Sequence, residues 1–362
     1  MTLAVNIAQS GSNNVTFRNK IINGAMVIDQ RNAGAAVTAT NSYPVDRFFI
    51  SNTTDGTFSA QQSTTTPAGF KNSTAITITS ADASLTTTQR LVYRHNIEGY
   101  NIADFAFGTA SASAITISFW VRSSLTGTFG GSIENSAEDR AYVFTYTINS
   151  ANTFEYKTIT IAGDTSGTWV TDNGIGMRIW FGLGVGPTFS GTAGSWGSTP
   201  YYSATGAVSV VGTNGATFYI TGVQLEAGTT ASPFEYRQYG TELALCQRYF
   251  IDLRPASGSE TTQYPTALQN GTGGGGYMAI VTFPVKMRAN ATLVAPSSMT
   301  GFLLNWPFPG STVLTSITAN PYYSELTASI QGIQASSFGG AGYIVGFQIS
   351  SSAGTIGFSA EL

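Results

Sequence analysis

The chain has 362 residues, a formal net charge of -3 and a pI near 5.2, with 42% hydrophobic, 12% aromatic and only 10% charged residues. Enough apolar side chains to fill cores argue against disorder, and the weak acidity removes the electrostatic reason to expect nucleic acid or an anionic membrane as a partner. The single cysteine, Cys246, excludes an intrachain disulfide and suits a reducing compartment, and no apolar run approaches the ~20 residues of a membrane span.

The polar residues are mostly Thr, Ser, Gly and Asn, and Lys occurs only at positions 20, 71, 157 and 286. Thr, Val, Ile and aromatics suit strands, and Gly and Asn suit turns, so the composition predicts an all-β fold. At ~100–200 residues per domain, two domains are expected. No cationic n-region followed by an apolar h-region opens the sequence. Residues 1–20 read as an N-terminal arm that orders against a partner or frays. "IINGAMVIDQR" (21–31) reads as a hairpin about Asn23-Gly24. Period-2 alternation then marks strands in 74–81, 113–124, 140–148, 154–163, 176–186 and 215–225, with Ile115, Ile117, Phe119 and Val121 on one face. Such strands, bounded by Gly, Asn, Asp and Ser clusters, are those of a two-sheet sandwich. Residues 187–206 lack periodicity and read as a long loop, where binding is often located.

The charge-poor chain concentrates ionic side chains in "GVQLEAGTTASPFEYRQYGTELALCQRYF" (222–250). Its end, "TELALCQRYF" (241–250), carries the helical signal. Thr241 is the expected N-cap, Glu242 lies in the first turn, and Leu243, Cys246 and Tyr249 or Phe250 form one stripe. So short a helix must dock on something to persist. Alternation resumes in 276–287, 291–296, 324–334, 342–350 and 354–362, with "NGTGGGG" (270–276) as a hairpin tip or lid. The division expected is an arm (1–20), a jelly-roll-like β-sandwich (21–238), and a smaller C-terminal β-sandwich domain (239–362) opened by the docking helix. At that junction Arg237 and Arg248 are expected to pair with Glu226, Glu235 and Glu242, because bidentate Arg–carboxylate pairs fix geometry. Cys246 is expected as a small buried filler on the helix.

The same stretch resembles a signature of bacteriophage tail fibre and minor virion structural proteins. "NKIINGAMVIDQR" with "YPVDRFF", "ITISFWVRSS", "FEYKTITIAGDTSGTW" and "GIGMRIWFGLGVG" resemble the sandwich of that family, and "VTFPVKMRANATL" with "FSAEL" resemble a small domain that often comes after it. The resemblance implies a jelly roll of the carbohydrate-binding-module kind on a phage particle. It implies other virion proteins as partners, a homo-oligomer with a trimer favoured, and host surface polysaccharide as a possible ligand. Tail or fibre is favoured over the capsid surface as location, after synthesis in the bacterial cytoplasm. It carries over no catalytic residues.

For chemistry the sequence offers little. His95 is the only histidine and reads as a surface or structural residue, and one Cys with one His argues against zinc. No cofactor is expected; a structural calcium is an option without nameable ligands. A glycoside hydrolase needs two carboxylates across a groove, from among Glu98, Asp104, Glu134, Glu138, Asp139 and Glu155. Glu138 and Asp139 beside Arg140 read more simply as a turn with a strand-edge salt bridge. Glycan binding needs flat aromatics beside hydrogen-bonding groups. Trp196, Tyr201 and Tyr202 on the long loop are the candidates, followed by Trp306 and Phe308; the alternative is that these rings pack under their loops or at a subunit interface. The reading is a non-enzymatic virion protein of a tail fibre or receptor-binding assembly. The alternatives are a capsid decoration or fibril protein and, behind it, a polysaccharide depolymerase.

Overall fold

Strand after strand in the first part of the chain alternates apolar with polar side chains, and the apolar set has one place to go, between two sheets. In the computed structural model, residues 17–254, 281–294 and 356–362 are described throughout, and 261–269, 277–280, 302–305, 311–313, 316–319, 327–333 and 344–350 as backbone strands. The chain divides into two compact units, Met1–Asp29 with Gly34–Gln238, and Gln30–Ala33 with Tyr239–Leu362. The fold is mostly β with one short α-helix among the described residues.

In the first unit one sheet holds β3 (Thr57–Ser63), β4 (Ser73–Ser80), β6 (Ile115–Ser123), β9 (Glu155–Ile161) and β14 (Thr217–Ala227), in the order β3-β4-β14-β6-β9. The other holds β1 (Ser42–Val45), β2 (Phe48–Asn52), β5 (Arg90–Glu98), β7 (Gly127–Glu134), β8 (Ala141–Ile148), β10 (Ile175–Val185) and β12 (Trp196–Gly197), in the order β1-β2-β5-β10-β7-β8-β12. All neighbouring strands in both sheets are antiparallel. The two form a sandwich whose core is the inward alternation: Ile115, Ile117, Phe119 and Val121 of β6 face Ile179, Phe181 and Leu183 of β10 within one cluster. Each of these is fully buried, contributing about 1.5–3 kcal/mol relative to exposure.

Strand β14 changes parity midway. Phe218 and Ile220 are buried before a register shift between Thr221 and Gln224, and Val223 and Leu225 are buried after it. A bulge adds one residue and moves the apolar series from even to odd positions. Gly222 sits there with φ +62, a left-handed conformation that costs glycine little.

The expected strands at 74–81, 113–124, 140–148, 154–163, 176–186 and 215–225 are present as β4, β6, β8, β9, β10 and β14. The Asn-Gly hairpin is not: residues 21–29 hold turns and no strand. The buried Asn23 side chain replaces the ladder, accepting from the N–H of Ile28 (2.9 Å) and donating to the carbonyls of Ile28 (2.8 Å) and Asp46 (2.9 Å). The long loop also carries structure, with β11 (Ser190–Gly191) parallel to β13 (Ser203–Ala204), and β12 added to the edge of β8.

The second unit contains α1 (Tyr239–Gln247) and two sheets. One is three-stranded, with β24 (Gly357–Ser359) between β15 (Phe250–Asp252) and β18 (Thr292–Val294). The other is seven-stranded and built around β23 (Ile344–Ser350), β16 (Thr261–Gln269), β17 (Tyr277–Thr282) and β22 (Thr327–Ile333). The helix starts two residues before the expected site, so Thr241 lies inside it, and Phe250 belongs to β15. Cys246 and Tyr249 are fully buried, whereas Leu243 is only half-buried. Arg31 ion-pairs with Glu361 at 3.0 Å and covers the Phe250 ring at 3.8 Å, which ties the short 30–33 segment to this unit. The 270–276 tip and residues 1–16 of the arm lie outside the described residues.

Candidate functional site

Beyond β14 the chain turns back over the outward face of the five-stranded sheet. Outward hydroxyls hold the turn: Thr116 Oγ1 donates to the Gly228 carbonyl (2.8 Å) and Thr160 Oγ1 to that of Thr229 (3.0 Å). Glu226, nearly buried, accepts from the Ser232 N–H (2.8 Å) and hydroxyl (2.6 Å) and from Gln224 Nε2 (2.9 Å), with Arg18 at 3.7 Å. Glu235 accepts the N–H groups of Phe17 (2.6 Å) and Asn19 (2.8 Å). Arg237 donates to the carbonyls of Ile21 (3.0 Å) and Asn19, and pairs with Glu235 at 3.6 Å.

These three residues of the expected junction set therefore lie in the first unit, where Glu235 and Arg237 clamp the backbone of residues 17–21 and Glu226 holds the turn at Ser232. Charge-assisted bonds to main-chain groups explain why a charge-poor chain places ionic residues here. The rest of the set lies in the second unit: Glu242 and Cys246 are buried on α1, and Arg248 reaches the Lys286 carbonyl at 3.4 Å.

The clamp also fixes the chain beyond Ser232. Pro233, Phe234 and Tyr236 lie along an open groove of about 320 Å³, whose other lining residues are Phe70, Trp120, Tyr156 and Gly222. Trp120 and Tyr156 are cross-strand partners on β6 and β9, with ring centroids 5.3 Å apart at 44°. Opposite them stand three rings. Phe70, from the loop between β3 and β4, meets Phe234 at 5.2 Å and 66° and Tyr236 at 5.4 Å and 41°; Phe234 meets Tyr236 at 4.9 Å and 73°. The Tyr236 hydroxyl donates to the Gly69 carbonyl at 3.0 Å. Gly222 is the floor, since a Cβ there would lie 2.7 Å from the Phe70 ring. Tyr156 and Tyr236 are 43% and 59% exposed, so their rings are open to a ligand.

No charged side chain lines the groove. Glu155 and Lys157 of β9 lie on the opposite face of the strand from Tyr156, paired at 2.6 Å. Partial burial raises the Glu155 carboxyl, but bonds from Lys157 and from Ser150 and Asn149 outweigh it and bring the group down to about 2. The chemistry of the groove is thus that of aromatic faces, which suit a ligand with an apolar surface.

The loop aromatics expected to contact glycan pack against neighbouring rings and backbone. Trp196 is half-buried against Tyr142 (5.3 Å), Trp169 (5.6 Å) and Phe107 (5.7 Å), and its Nε1 donates to the Ala162 carbonyl at 2.7 Å. Tyr201 covers Gly191. Tyr202 is 6% exposed, lying 4.3 Å from the Trp180 ring and stacked on Phe189 at 4.9 Å. The packing alternative therefore describes Trp196 and Tyr202. Trp306 and Phe308 lie outside the described residues.

Of the catalytic possibilities, His95 is buried on β5 beside Phe48, not at the surface, and burial, reinforced by Arg47, pushes its pKa well below the usual value. The expected salt bridge of Arg140 with Glu138 or Asp139 is absent. Arg140 pairs bidentately with Asp164 (2.7 and 2.8 Å), Glu138 with Arg178 (3.2 Å), and Asp139 accepts from Asn135 (2.7 Å). Glu134 is fully buried; burial raises its carboxyl to about 7 against the opposing pull of Arg178 and the Trp180 N–H. Among the described residues no three His, Cys, Asp or Glu side chains gather closely enough to hold a metal ion, and no helix is long and apolar enough to cross a membrane.

No protein-family model and no curated protein matches the sequence. Among solved structures the chain is similar to the enzymatically active domain of tailspike protein 4 of bacteriophage CBA120, at 13% identity and a TM-score of 0.31, over 59% of this chain and 22% of that one. It is similar to a putative sugar binding protein of Bacteroides thetaiotaomicron, at 13% identity and a TM-score of 0.34, over 58% of this chain and all of that one. A third is the family 11 carbohydrate-binding module of Clostridium thermocellum in complex with a mixed-linked tetrasaccharide, at 12% identity and a TM-score of 0.29, over 55% of this chain and 99% of that one. Likeness at this level extends to no site or ligand.

Proposed function

We propose that the protein is a non-enzymatic structural component of a bacteriophage virion, in a tail fibre or receptor-binding assembly, and that its first unit holds host surface glycan in the aromatic groove. The observation that carries the glycan reading is the solvent-open set of rings on the five-stranded sheet. Trp120 and Tyr156 offer adjacent faces, and Tyr236 is held by the Gly69 carbonyl in a fixed position before any ligand arrives. Rings fixed in advance lose little conformational entropy on binding. The virion reading rests on the resemblance of 222–250 and the sandwich strands to phage structural proteins. An open groove of about 320 Å³ covers only part of an oligosaccharide, so one copy binds weakly. A homotrimer would convert weak sites into firm adsorption.

The test is adsorption to host cells and to their purified surface polysaccharide by a Tyr156→Ala, Tyr236→Ala double variant. Both side chains are exposed, so the fold is expected to hold while binding falls about tenfold per ring removed, within the range of one aromatic contact. Unchanged binding removes the groove from the proposal. Gold-labelled antibody on intact particles separates tail or fibre from a capsid decoration role, which label spread over the head would favour. Reducing-sugar release from the same polysaccharide would replace the proposal with a depolymerase.

A further inference from the structure

We propose that the first unit holds a second carbohydrate site, a polar pocket that takes a neutral sugar through its hydroxyl groups. The pocket measures about 480 Å³, within the range of small-molecule sites. It is lined by Phe17, Arg18 and Lys20, by Asp104, and by residues 226–230 with Ser232. Ser232 lines the pocket and Pro233 the aromatic groove, so one short stretch of backbone borders both. Its walls are fixed before a ligand arrives. The Lys20 N–H donates to the Leu225 carbonyl (2.9 Å) and the Gly228 N–H to that of Ala114 (2.7 Å). Arg18 Nη2 donates to the Pro233 carbonyl at 2.8 Å. A wall held in this way loses little conformational entropy on binding.

The charges in the pocket cancel. Lys20 Nζ pairs with Asp104 at 2.8 Å, and Arg18 with Glu226 at 3.7 Å. A uronate would face both carboxylates and an amino sugar both cations, so each loses by repulsion what it gains by attraction. A hydroxyl meets neither obstacle, because it donates and accepts. Glu226 and Ser232 are already committed to each other and to Gln224. The groups left for a ligand are the remaining N–H bonds of Lys20 Nζ, the second carboxylate oxygen of Asp104, and the hydroxyls of the exposed Thr229 and Thr230. Lys20 and Asp104 can thus engage neighbouring hydroxyls of one sugar ring, the first as donor and the second as acceptor. Phe17 adds an apolar surface, with its ring 51% exposed and Arg237 over it at 5.3 Å. The groove offers ring faces and the pocket hydrogen-bonding groups, so the two select different features of a glycan.

The experiment titrates the full-length protein carrying Tyr156→Ala and Tyr236→Ala, which disable the groove, with cellotriose, maltotriose, trigalacturonate and triglucosamine. At least one neutral probe is expected to bind. Adding Asp104→Ala should weaken that binding about tenfold or more, as for loss of a hydrogen bond to a charged group. The Asp104 side chain is 57% exposed, so the fold is expected to hold. Thr230→Ala, also at an exposed site, provides a second variant and should weaken binding severalfold. A charged probe binding as tightly as the neutral ones overturns the preference for hydroxyls. No binding once the groove is disabled, or binding that neither substitution changes, removes the pocket; the groove then stands or falls on its own double variant. Binding that responds to Asp104→Ala but not to the groove pair keeps the pocket and removes the groove.

Discussion

Two aromatic-rich surfaces of the first unit differ in how their rings are used. The loop 187–206 gathers Phe189, Trp196, Tyr201 and Tyr202 within a short stretch, yet it lies down on the seven-stranded sheet. Gly130 and Gly182 are the reason: each leaves a gap on the outer face of the sheet, and the Ser203 side chain fills both, since a Cβ on Gly182 would lie 2.5 Å from the Ser203 hydroxyl. Once Ser203 is seated, Tyr202 is drawn against Trp180. The groove draws its rings from four separate segments and leaves two of them exposed. Local density of aromatics therefore says little about ligand contact; the backbone beneath them decides.

Substitutions sharpen this contrast, beginning with the largest effect. Tyr202→Ala is expected to destabilise the first unit by about 3 kcal/mol, as large-to-small changes in packed sites do, while polysaccharide affinity per folded molecule stays constant. Chemical denaturation followed by a binding titration would show whether stability and affinity separate in this way. Gly222→Ala should cost about 2 kcal/mol from its left-handed backbone and the collision with Phe70, and it should also weaken binding. Retained affinity would show that the groove floor does not shape the site.

The loop side also has a pH response that the groove lacks. Folded Glu134 keeps its proton up to about 7, whereas the unfolded chain releases it near the ordinary 4.5. The folded state therefore binds more protons between those values, and its stability falls as pH rises through that window, by about 1.4 kcal/mol per unit at most. Above about 7 the loss is complete. Thermal midpoints from pH 5 to 8 should slope downward in the native protein and flatten in Glu134→Gln; parallel profiles would refute the assignment. The smallest effect is expected for Tyr156→Ala on stability, within about 0.5 kcal/mol as for an exposed site. A loss comparable to that of Tyr202→Ala would mean that the groove ring is structural too.

Much of the sandwich was legible. Strands such as "AITISFWV" set apolar residues on the core face against mostly polar ones on the other, and period-2 alternation survives in the sequence. Strand β5, "RLVYRHNIE", was not, because Val92 lies on its outer face and His95 stands among Leu91, Tyr93 and Ile97 on the inner one, which blurs the alternation. The Asn23-Gly24 pair misled for a local reason: the Asn23 side chain bonds the backbone itself and takes the place of a strand partner. The concentration of ionic residues in 226–237 is visible in the sequence, but the backbone partners of Glu235 and Arg237 lie some two hundred positions away at residues 17–21. The groove was invisible for the same reason, since Phe70, Trp120, Tyr156 and Tyr236 share no local pattern.

By itself the sequence determined that the chain is β-rich, where six of the first-unit strands run, and that 222–250 is a special stretch. Those properties arise from local propensity and alternation, which each segment carries alone. Only the tertiary structure decided which rings face solvent. That outcome depends on strand register, on a bulge at Gly222 and on gaps at Gly130 and Gly182, each defined by residues distant in the chain.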